Sequence, residues 1–289
     1  MKQIHIGTCL PGYLALKWMP VLKEKGFECF ELNFHMSYGD TVLEELAEEV
    51  KKELDGTDIR IAAIGAYRNP LMYESHVEEL KKAIDAEHLF GTNIVSTFAG
   101  AIEGRSVEEA MPVFGKVFGE LVRYAGDKGV KIAIENCPMD GTWNHNTCNI
   151  GYSPRAWEMM FNTVNSDCLG LEWEPAHAMS QLIDPIPELR KWAGKVFHVH
   201  GKDASIDWDG IRHEGIMCGK NFMPNRTPGF GDTNWRDVFS ILRSAGYEGD
   251  LCIEGFHDHV YRDEWEMTGQ IHALNYLKWA RGGEFVPNP

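Results

Sequence analysis

Acidic and histidine side chains recur at the ends of four short apolar runs in the second half of this sequence. Three carboxylates that lie close together repel one another unless a cation neutralises them. If the fold brings the four run ends together, the chemistry they predict is that of a divalent metal site. Its ligands would be Glu135 in KIAIENC, Glu174 at the end of CLGLEWE, His200 in VFHVHGK and Glu254 in DLCIEGF.

The donor set favours Mn²⁺ or Mg²⁺, because oxygen-rich sites with one imidazole suit these ions better than ions that prefer sulfur. Zn²⁺ accepts the same nitrogen and oxygen donors and stays an alternative. The competing interpretation is a rim of ordinary salt bridges, in which Lys202 and the arginines of segment 204–233 neutralise the carboxylates.

Eight apolar runs alternate with longer stretches of helical spacing. This order predicts an α/β protein, a (β/α)₈ TIM barrel with residues 1–289 as a single domain. The alternative is a doubly wound open sheet, but the Gly-rich phosphate loop G-x-G-x-x-G does not follow the first run. In such barrels the chemistry lies at the carboxyl ends of the strands. The predicted strands are 4–9, 29–34, 60–66, 93–99, 131–137, 168–174, 196–202 and 250–256.

The longest irregular segment, at about 204–233, is rich in glycine and proline and follows the seventh predicted strand. We expect it to lie as a long loop over the barrel mouth. His145, beside Trp143 after the fifth strand, is a candidate general acid at the same mouth. The alternative for His145 is an ordinary histidine of a surface loop.

Side chains two positions apart on a strand share a face, so Glu172 should lie one layer below Glu174. There it would neighbour His198 on the next strand, and we predict a Glu172–His198 pair beneath the site. The alternative is that a local distortion near Pro175 turns Glu172 towards solvent or a lysine.

Composition excludes several classes of function. A net charge of −15 disfavours a nucleic-acid partner, because an acidic surface repels phosphate backbones. The chain contains no run of 18 apolar residues, so no membrane-spanning helix is predicted. The seven cysteines include no C-x-x-C pair, which is typical of a cytoplasmic protein with reduced thiols.

Five motifs, IAIENCP, LGLEWEPAH, FHVHGKD, PGFGDTNW and CIEGFHD, occur in a familiar order and spacing. Through them the whole chain resembles the xylose isomerase-like TIM-barrel superfamily of sugar isomerases and epimerases. That superfamily includes ketose 3-epimerases, inosose dehydratases and the endonuclease IV branch. The resemblance implies a divalent metal held by Glu, Asp, His and Glu, here Glu135, Glu174, His200 and Glu254. Glu174 departs from the family, which usually has Asp there.

The resemblance also implies the reaction, a proton abstraction next to a carbonyl on a keto-sugar or related polyol. Glu135 and Glu254 would be the catalytic acid and base, and His177 would contact substrate oxygens. Arg226, before PGFGD, is the candidate substrate-binding cation, with a loop-fixing salt bridge as the alternative. Lys202 and His145 are further candidate substrate-binding residues, and Asp203 a candidate partner that orients His200.

The implied alternatives to an isomerase or epimerase are a lyase and a non-catalytic sugar-binding protein. The lyase would dehydrate an inosose or eliminate the aglycone of a 3-keto-glycoside. Ketose 3-epimerases carry a glutamate and an arginine where this chain has Gly141 and Ile206, so the resemblance does not extend to their ketohexose substrates. Homo-oligomers are common in the superfamily, and a homo-oligomer is therefore expected.

Overall fold

A computed structural model describes residues 3–255, 257–283 and 286–288. Eight parallel strands form a closed barrel in the order β1-β10-β7-β6-β5-β4-β3-β2. They are β1 (Ile6–Pro11), β2 (Cys29–Asn33), β3 (Arg60–Gly65), β4 (Ile94–Thr97), β5 (Lys131–Glu135), β6 (Leu169–Trp173), β7 (Val196–Gly201) and β10 (Leu251–Ile253). The predicted TIM barrel is confirmed, and the open doubly wound sheet is wrong because β1 pairs with β10.

Helices follow the strands, and all but the helix Trp208–Glu214, which buries none of its residues, pack apolar side chains into the interior. They are α1 (Ala15–Glu24), α2 (Leu43–Leu54), α3 (Glu74–Ala86), α4 (Val107–Gly126), α5 (Pro154–Thr163), α6 (Pro175–Met179), α7 (Pro185–Trp192), α8 (Trp208–Glu214), α9 (Trp235–Ser244) and α10 (Glu266–Arg281). Helix α4 begins at a capping box in which Ser106 and Glu109 bond each other's backbone N–H. None of the helices in the described ranges is both long and apolar enough to cross a membrane.

Most of the strands are one or more residues shorter than the sequence predicts, because the chain turns away as soon as it leaves the barrel. Strand β6 ends at Trp173, since Pro175 occupies the first position of α6 and Glu174 becomes its N-cap. Strand β10 ends at Ile253, so Glu254 lies just beyond it; the last residue predicted for this strand, Phe256, lies outside the described residues.

Segment 204–233 is partly ordered into secondary structure. Two short strands, β8 (Asp203–Ala204) and β9 (Asn225–Arg226), pair antiparallel, and α8 lies between them. Asp203 anchors the far end of the segment, because its carboxylate accepts hydrogen bonds from Thr233 Oγ1 at 2.6 Å and Trp235 Nε1 at 2.9 Å. Gly231 permits this approach, since a Cβ there would lie 2.3 Å from the Asp203 carboxylate carbon.

A buried carboxylate at the opposite end of the barrel joins the starts of three strands. Asp250 accepts hydrogen bonds from Arg60 Nε at 2.7 Å and from the His5 backbone N–H at 3.2 Å. Burial raises its pKa, but the hydrogen bonds from His5 and Arg60 outweigh burial and leave that pKa below its usual value. The stabilisation is therefore present at neutral pH and is lost as the pH falls below about 4, through the lowered pKa.

We expect Asp250→Asn to lower the free energy of unfolding at pH 7 by about 1–3 kcal/mol, because buried charged partners lose their acceptor. Urea denaturation at pH 7 measures this, and the deficit should shrink at acid pH. Asp209→Asn is the matched control: its carboxylate is 99% exposed and the change should stay within about 0.5 kcal/mol. Equal stability of both variants would contradict the role of Asp250.

Candidate metal centre and active site

The four predicted metal ligands come together at the carboxyl ends of β5, β6, β7 and β10. Their carboxylates surround Nδ1 of His200, which lies 3.3 Å from Glu135 Oε1, 3.4 Å from Glu254 Oε2 and 3.7 Å from Glu174 Oε2. All four side chains are buried, and one donor atom from each lies within 4.8 Å of the others.

An asparagine fixes the backbone at Glu174. The side-chain amide of Asn136 donates to the Glu174 carbonyl and accepts from the Glu174 N–H, both at 2.8 Å. This pair of bonds continues the contact between β5 and β6 beyond their last backbone ladder position. It holds Glu174 at the rim although Pro175 removes an N–H from the following residue.

The tautomer of His200 follows from its neighbours. Nε2 lies 2.8 Å from Glu31 Oε2, and an ionised carboxylate only accepts hydrogen bonds, so Nε2 carries the proton. Burial lowers the pKa of His200, but the charge of Glu172 and other acidic neighbours outweighs burial and leaves that pKa well above its usual value. A metal ion would therefore displace the Nδ1 proton and bind the lone pair that faces the three carboxylates. Nδ1 and both oxygens of Glu174 find no hydrogen-bond partner among the described residues. Buried polar atoms without partners are costly, and a cation shared by the four groups would satisfy them.

The spacing of the atoms supports the same conclusion. Metal–ligand bonds of about 2.0–2.2 Å separate neighbouring ligand atoms by about 3.0 Å at octahedral angles and about 3.4 Å at tetrahedral angles. The contacts of Nδ1, at 3.3–3.7 Å, are slightly longer than the octahedral separation, lie near the tetrahedral one and exceed ordinary hydrogen-bond lengths. The residues present therefore fit a divalent metal, with three oxygen donors and one nitrogen donor.

Burial and the charge of one lysine give the carboxyl groups of the site different pKa values. Burial raises the pKa of Glu135 to about 7 and that of Glu174 to about 8. Burial also acts on Glu254, but the charge of Lys202 and the hydrogen bond from His257 hold the pKa of this carboxyl well below its usual range. The protein thus places carboxyl groups of very different proton affinity around one point.

A second layer of polar side chains lies beneath the centre. Glu31 on β2 accepts from His198 Nε2 at 3.1 Å as well as from His200, and Tyr67 contacts Glu31 and Glu172 at 2.9 and 2.8 Å. Glu172 and His198 are neighbours in register, as predicted. The predicted hydrogen-bonded pair is corrected, however: His198 bonds Glu31, while Glu172 meets Tyr67 and lies 3.2 Å from His200 Nε2. Glu31 and Tyr67 were not predicted from the sequence.

A cleft of about 560 Å³ opens above the centre. Glu135, Glu254, His177 and Lys202 contribute to its polar side. The opposite side is largely apolar and comes from the ends of the first strands, with Leu10, Pro11, Tyr13, Phe34 and Phe98. Three polar residues that sequence reasoning missed also line it: His35, Asn225 and His257. Only His257 had a signal in the sequence, since it follows Glu254 closely.

Two of the predicted substrate-binding residues lie in the cleft and contact the ligand set. His177 Nε2 is 3.2 Å from Glu174 Oε1 and 3.5 Å from Lys202 Nζ, and Lys202 Nζ is 3.1 Å from Glu254 Oε2. The extra methylene of Glu174 thus brings its carboxylate within reach of both cleft side chains.

The other two candidates lie elsewhere in the described part of the chain. Arg226 Nε bonds Asp258 at 3.2 Å and its guanidinium lies over Phe230, which matches the loop-fixing alternative. His145 is exposed and closes a short turn with Thr142. Neither side chain lines the cleft, and a substrate contact for either stays a prediction.

The proposed partnership of Asp203 with His200 is wrong. Residues 198, 200 and 202 point into the barrel, so residue 203 points outward by the alternation of the strand. Its carboxylate instead bonds Thr233 and Trp235.

The sequence pattern of the xylose isomerase-like TIM barrel family matches residues 20–278. This chain belongs to that family. An inosose dehydratase from Clostridium beijerinckii is 24% identical, over 97% of this chain and 98% of its own length.

Solved structures of family members share the fold. The 3-keto-D-glucoside 4-epimerase YcjR from E. coli, in its apo form, superposes with a TM-score of 0.69 at 17% identity, over 96% of this chain and all of that chain. The IOLI protein, crystallised with a zinc atom, superposes with a TM-score of 0.67 at 22% identity, over 96% of each chain. The similar proteins thus carry the names of a dehydratase and an epimerase, and one was crystallised with a zinc atom.

Proposed function

We propose that this protein is a divalent-metal-dependent isomerase or epimerase that transfers a proton next to the carbonyl of a keto-sugar or related polyol. The observation that carries the proposal is the Nδ1 atom of His200, buried without a hydrogen-bond partner among the described residues and surrounded by three carboxylates at the floor of the cleft. A site of this kind has no evident use in a protein that only binds sugar.

A divalent ion held by Glu135, Glu174, His200 and Glu254 would polarise the substrate carbonyl and stabilise the negative charge that develops on its oxygen. Mn²⁺ or Mg²⁺ is the proposed ion because three of the four donors are carboxylate oxygens, with Zn²⁺ as the alternative.

The side chains of the cleft supply the proton transfers. Glu135 and Glu254 both line the cleft and carry carboxylates that can accept a proton from carbon or return one. His177 and Lys202 lie on the same side and can hold substrate hydroxyls. Lys202 is the one lysine lining the cleft in the described part of the chain, and no arginine lines it there. An uncharged substrate therefore suits the cleft better than a sugar phosphate.

A lyase is the second candidate. Its support is the ammonium of Lys202, which lines the cleft 3.1 Å from Glu254 and can hydrogen-bond a departing hydroxyl or glycosidic oxygen and stabilise the negative charge that develops on it. Proton abstraction next to the carbonyl is common to both candidates, and the inosose dehydratase relative carries a lyase name.

Incubating the Mn²⁺-loaded protein with ketoses, inososes and 3-keto-glycosides in D₂O tests the function. We expect deuterium at the carbon next to the carbonyl of one substrate class. Recovery of an isomer or epimer would support the first candidate, and an unsaturated product with release of water or aglycone would support the lyase. Proton exchange on none of these substrates by fully metal-loaded protein would contradict both.

We further propose a cytoplasmic location, supported by seven free cysteine thiols. The substrate is then a small molecule of the cell interior, with neither nucleic acid nor membrane as a partner. A homo-oligomer stays a prediction from the family.

A further inference from the structure

Glu31 lies on β2, three strands away from β7 around the barrel, yet its side chain reaches the metal centre from below. The carboxylate is completely buried and accepts two imidazole N–H groups, from His200 at 2.8 Å and His198 at 3.1 Å. Its other oxygen accepts from the Tyr67 hydroxyl at 2.9 Å. Three contacts therefore hold this carboxylate in one orientation.

We propose that Glu31 is a positioning residue for the metal centre. By accepting the Nε2 proton of His200 it fixes the tautomer and the ring plane, so that the Nδ1 lone pair faces Glu135, Glu174 and Glu254. Histidines that bind metals are commonly oriented in this way by a carboxylate on the far ring nitrogen. The inference rests on the metal centre of the proposed function.

The packing around Glu31 preserves the arrangement. Gly65 on the neighbouring strand β3 leaves the space that the carboxylate occupies, because a Cβ there would lie 2.5 Å from Glu31 Oε1 and 2.8 Å from the Tyr67 ring. Tyr67 in turn places its hydroxyl between Glu31 and Glu172, at 2.9 and 2.8 Å, and its single O–H donates to one of the two carboxylates at a time.

The same four groups, Glu31, Glu172, His198 and His200, could be taken for a second metal site, since their donor atoms also lie within 4.8 Å of one another. The spacing argues for hydrogen bonds instead. The two imidazole contacts of Glu31, at 2.8 and 3.1 Å, are ordinary hydrogen-bond lengths, whereas the contacts of His200 Nδ1 are 3.3–3.7 Å. Nε2 of His200 thus forms a hydrogen bond with Glu31 in the lower layer, and Nδ1 faces the proposed metal ligands above it.

Three substitutions separate orientation from charge. Glu31→Met removes the acceptor, and Glu31→Asp keeps the charge but withdraws it by about 1.5 Å, one carbon–carbon bond. Glu31→Gln keeps an acceptor oxygen for both imidazoles and places its amide group towards Tyr67. We expect Mn²⁺ affinity, measured by competition with a chelator, to fall by roughly 10–100-fold in the Met and Asp variants. The Gln variant should retain most of the affinity.

Nitrogen-15 NMR of the His200 ring in the metal-free protein provides the second readout. Wild type and Glu31→Gln should show an Nε2–H proton that is shifted downfield and exchanges slowly because it is held in a hydrogen bond, and the Asp and Met variants should lose this signal. If Glu31 had only a structural role, its replacement would change the stability of the protein but not the Nε2–H signal of His200. Glu87→Met is the control: it removes another buried carboxylate, at the end of α3 and away from the cleft, and should leave Mn²⁺ affinity unchanged.

Wild-type affinity in both the Asp and Met variants, or an unaltered hydrogen-bonded Nε2–H signal of His200 in them, would overturn the proposal. So would binding of two Mn²⁺ ions per chain with loss of one in the variants, since Glu31 would then be a ligand. If Glu31→Met fails to fold, the Asp variant alone decides. Failure of the wild-type protein to bind Mn²⁺, Mg²⁺ or Zn²⁺ would instead contradict the proposed function, while the NMR measurement would still test the orientation of His200.

Discussion

Replacing Glu135 with glutamine should lower kcat by about 10²–10⁴-fold, the usual contribution of a positioned acid or base. Glutamine keeps the size of the side chain and one oxygen donor, but its amide cannot accept the substrate proton. Glu135 lines the cleft, where its carboxylate can take a proton from a substrate carbon or return one. Kinetics on the substrate identified by deuterium uptake, together with metal analysis, would measure the effect.

Glu87 offers a matched control for this substitution. Burial also raises the pKa of Glu87 to about 7, but it follows α3 on the outside of the barrel. Glu87→Gln should therefore keep kcat within about twofold of wild type, since a change away from the cleft acts on stability rather than on catalysis. If Glu135→Gln retained both its metal and a near-normal kcat, Glu135 would not be the acid or base.

Glu174→Gln should abolish tight metal binding and activity together. Loss of a residue that hydrogen-bonds a metal ligand lowers metal affinity by roughly 10–100-fold, and loss of a charged ligand itself should lower it further. Neither buried oxygen of Glu174 forms a hydrogen bond among the described residues, although Oε1 lies 3.2 Å from His177 Nε2 and 3.6 Å from Lys202 Nζ, so a bound cation would supply the missing partner. Chelator competition and metal content after dialysis would measure the change.

Glu172→Gln is the companion to this variant, because it makes the same substitution two residues earlier in the chain, on β6. Glu172 lies below the centre against Tyr67, so its replacement should mainly lower stability and leave the metal bound. Glu174→Asp would test the unusual length of this ligand: the shorter carboxylate should withdraw from His177, now 3.2 Å away, while metal binding persists. One metal ion per chain retained by Glu174→Gln, at the wild-type affinity, would remove Glu174 from the ligand set.

The rim of the site could be predicted because it depends on local features of the chain. Each predicted ligand follows a short apolar strand, and carboxyl ends of parallel strands in a barrel meet at one face. Counting the strands and following the alternation of side chains along each one therefore predicted that residues 135, 174, 200 and 254 lie together. The same alternation predicted the depth of Glu172, but the outward direction of Asp203 was overlooked.

The layer beneath the rim could not be predicted in the same way. Glu31 and His200 are 169 positions apart, and they meet only because β1 pairs with β10 and closes the sheet. In the sequence Glu31 is one glutamate in the run CFELNF, and nothing near it indicates a partner. His35 and the apolar wall of the cleft also come from the early strands, whose ends carry few of the residue types that suggest chemistry.

The sequence by itself determined the eight strands, their inward and outward faces and the four acidic or imidazole groups at the rim, because hydrophobic alternation and strand endings are local properties of the chain. The tertiary structure alone decided which nitrogen of His200 faces the metal centre. That choice depends on a carboxylate delivered across the closed barrel, at a hydrogen-bond distance that only the packing of the interior can set.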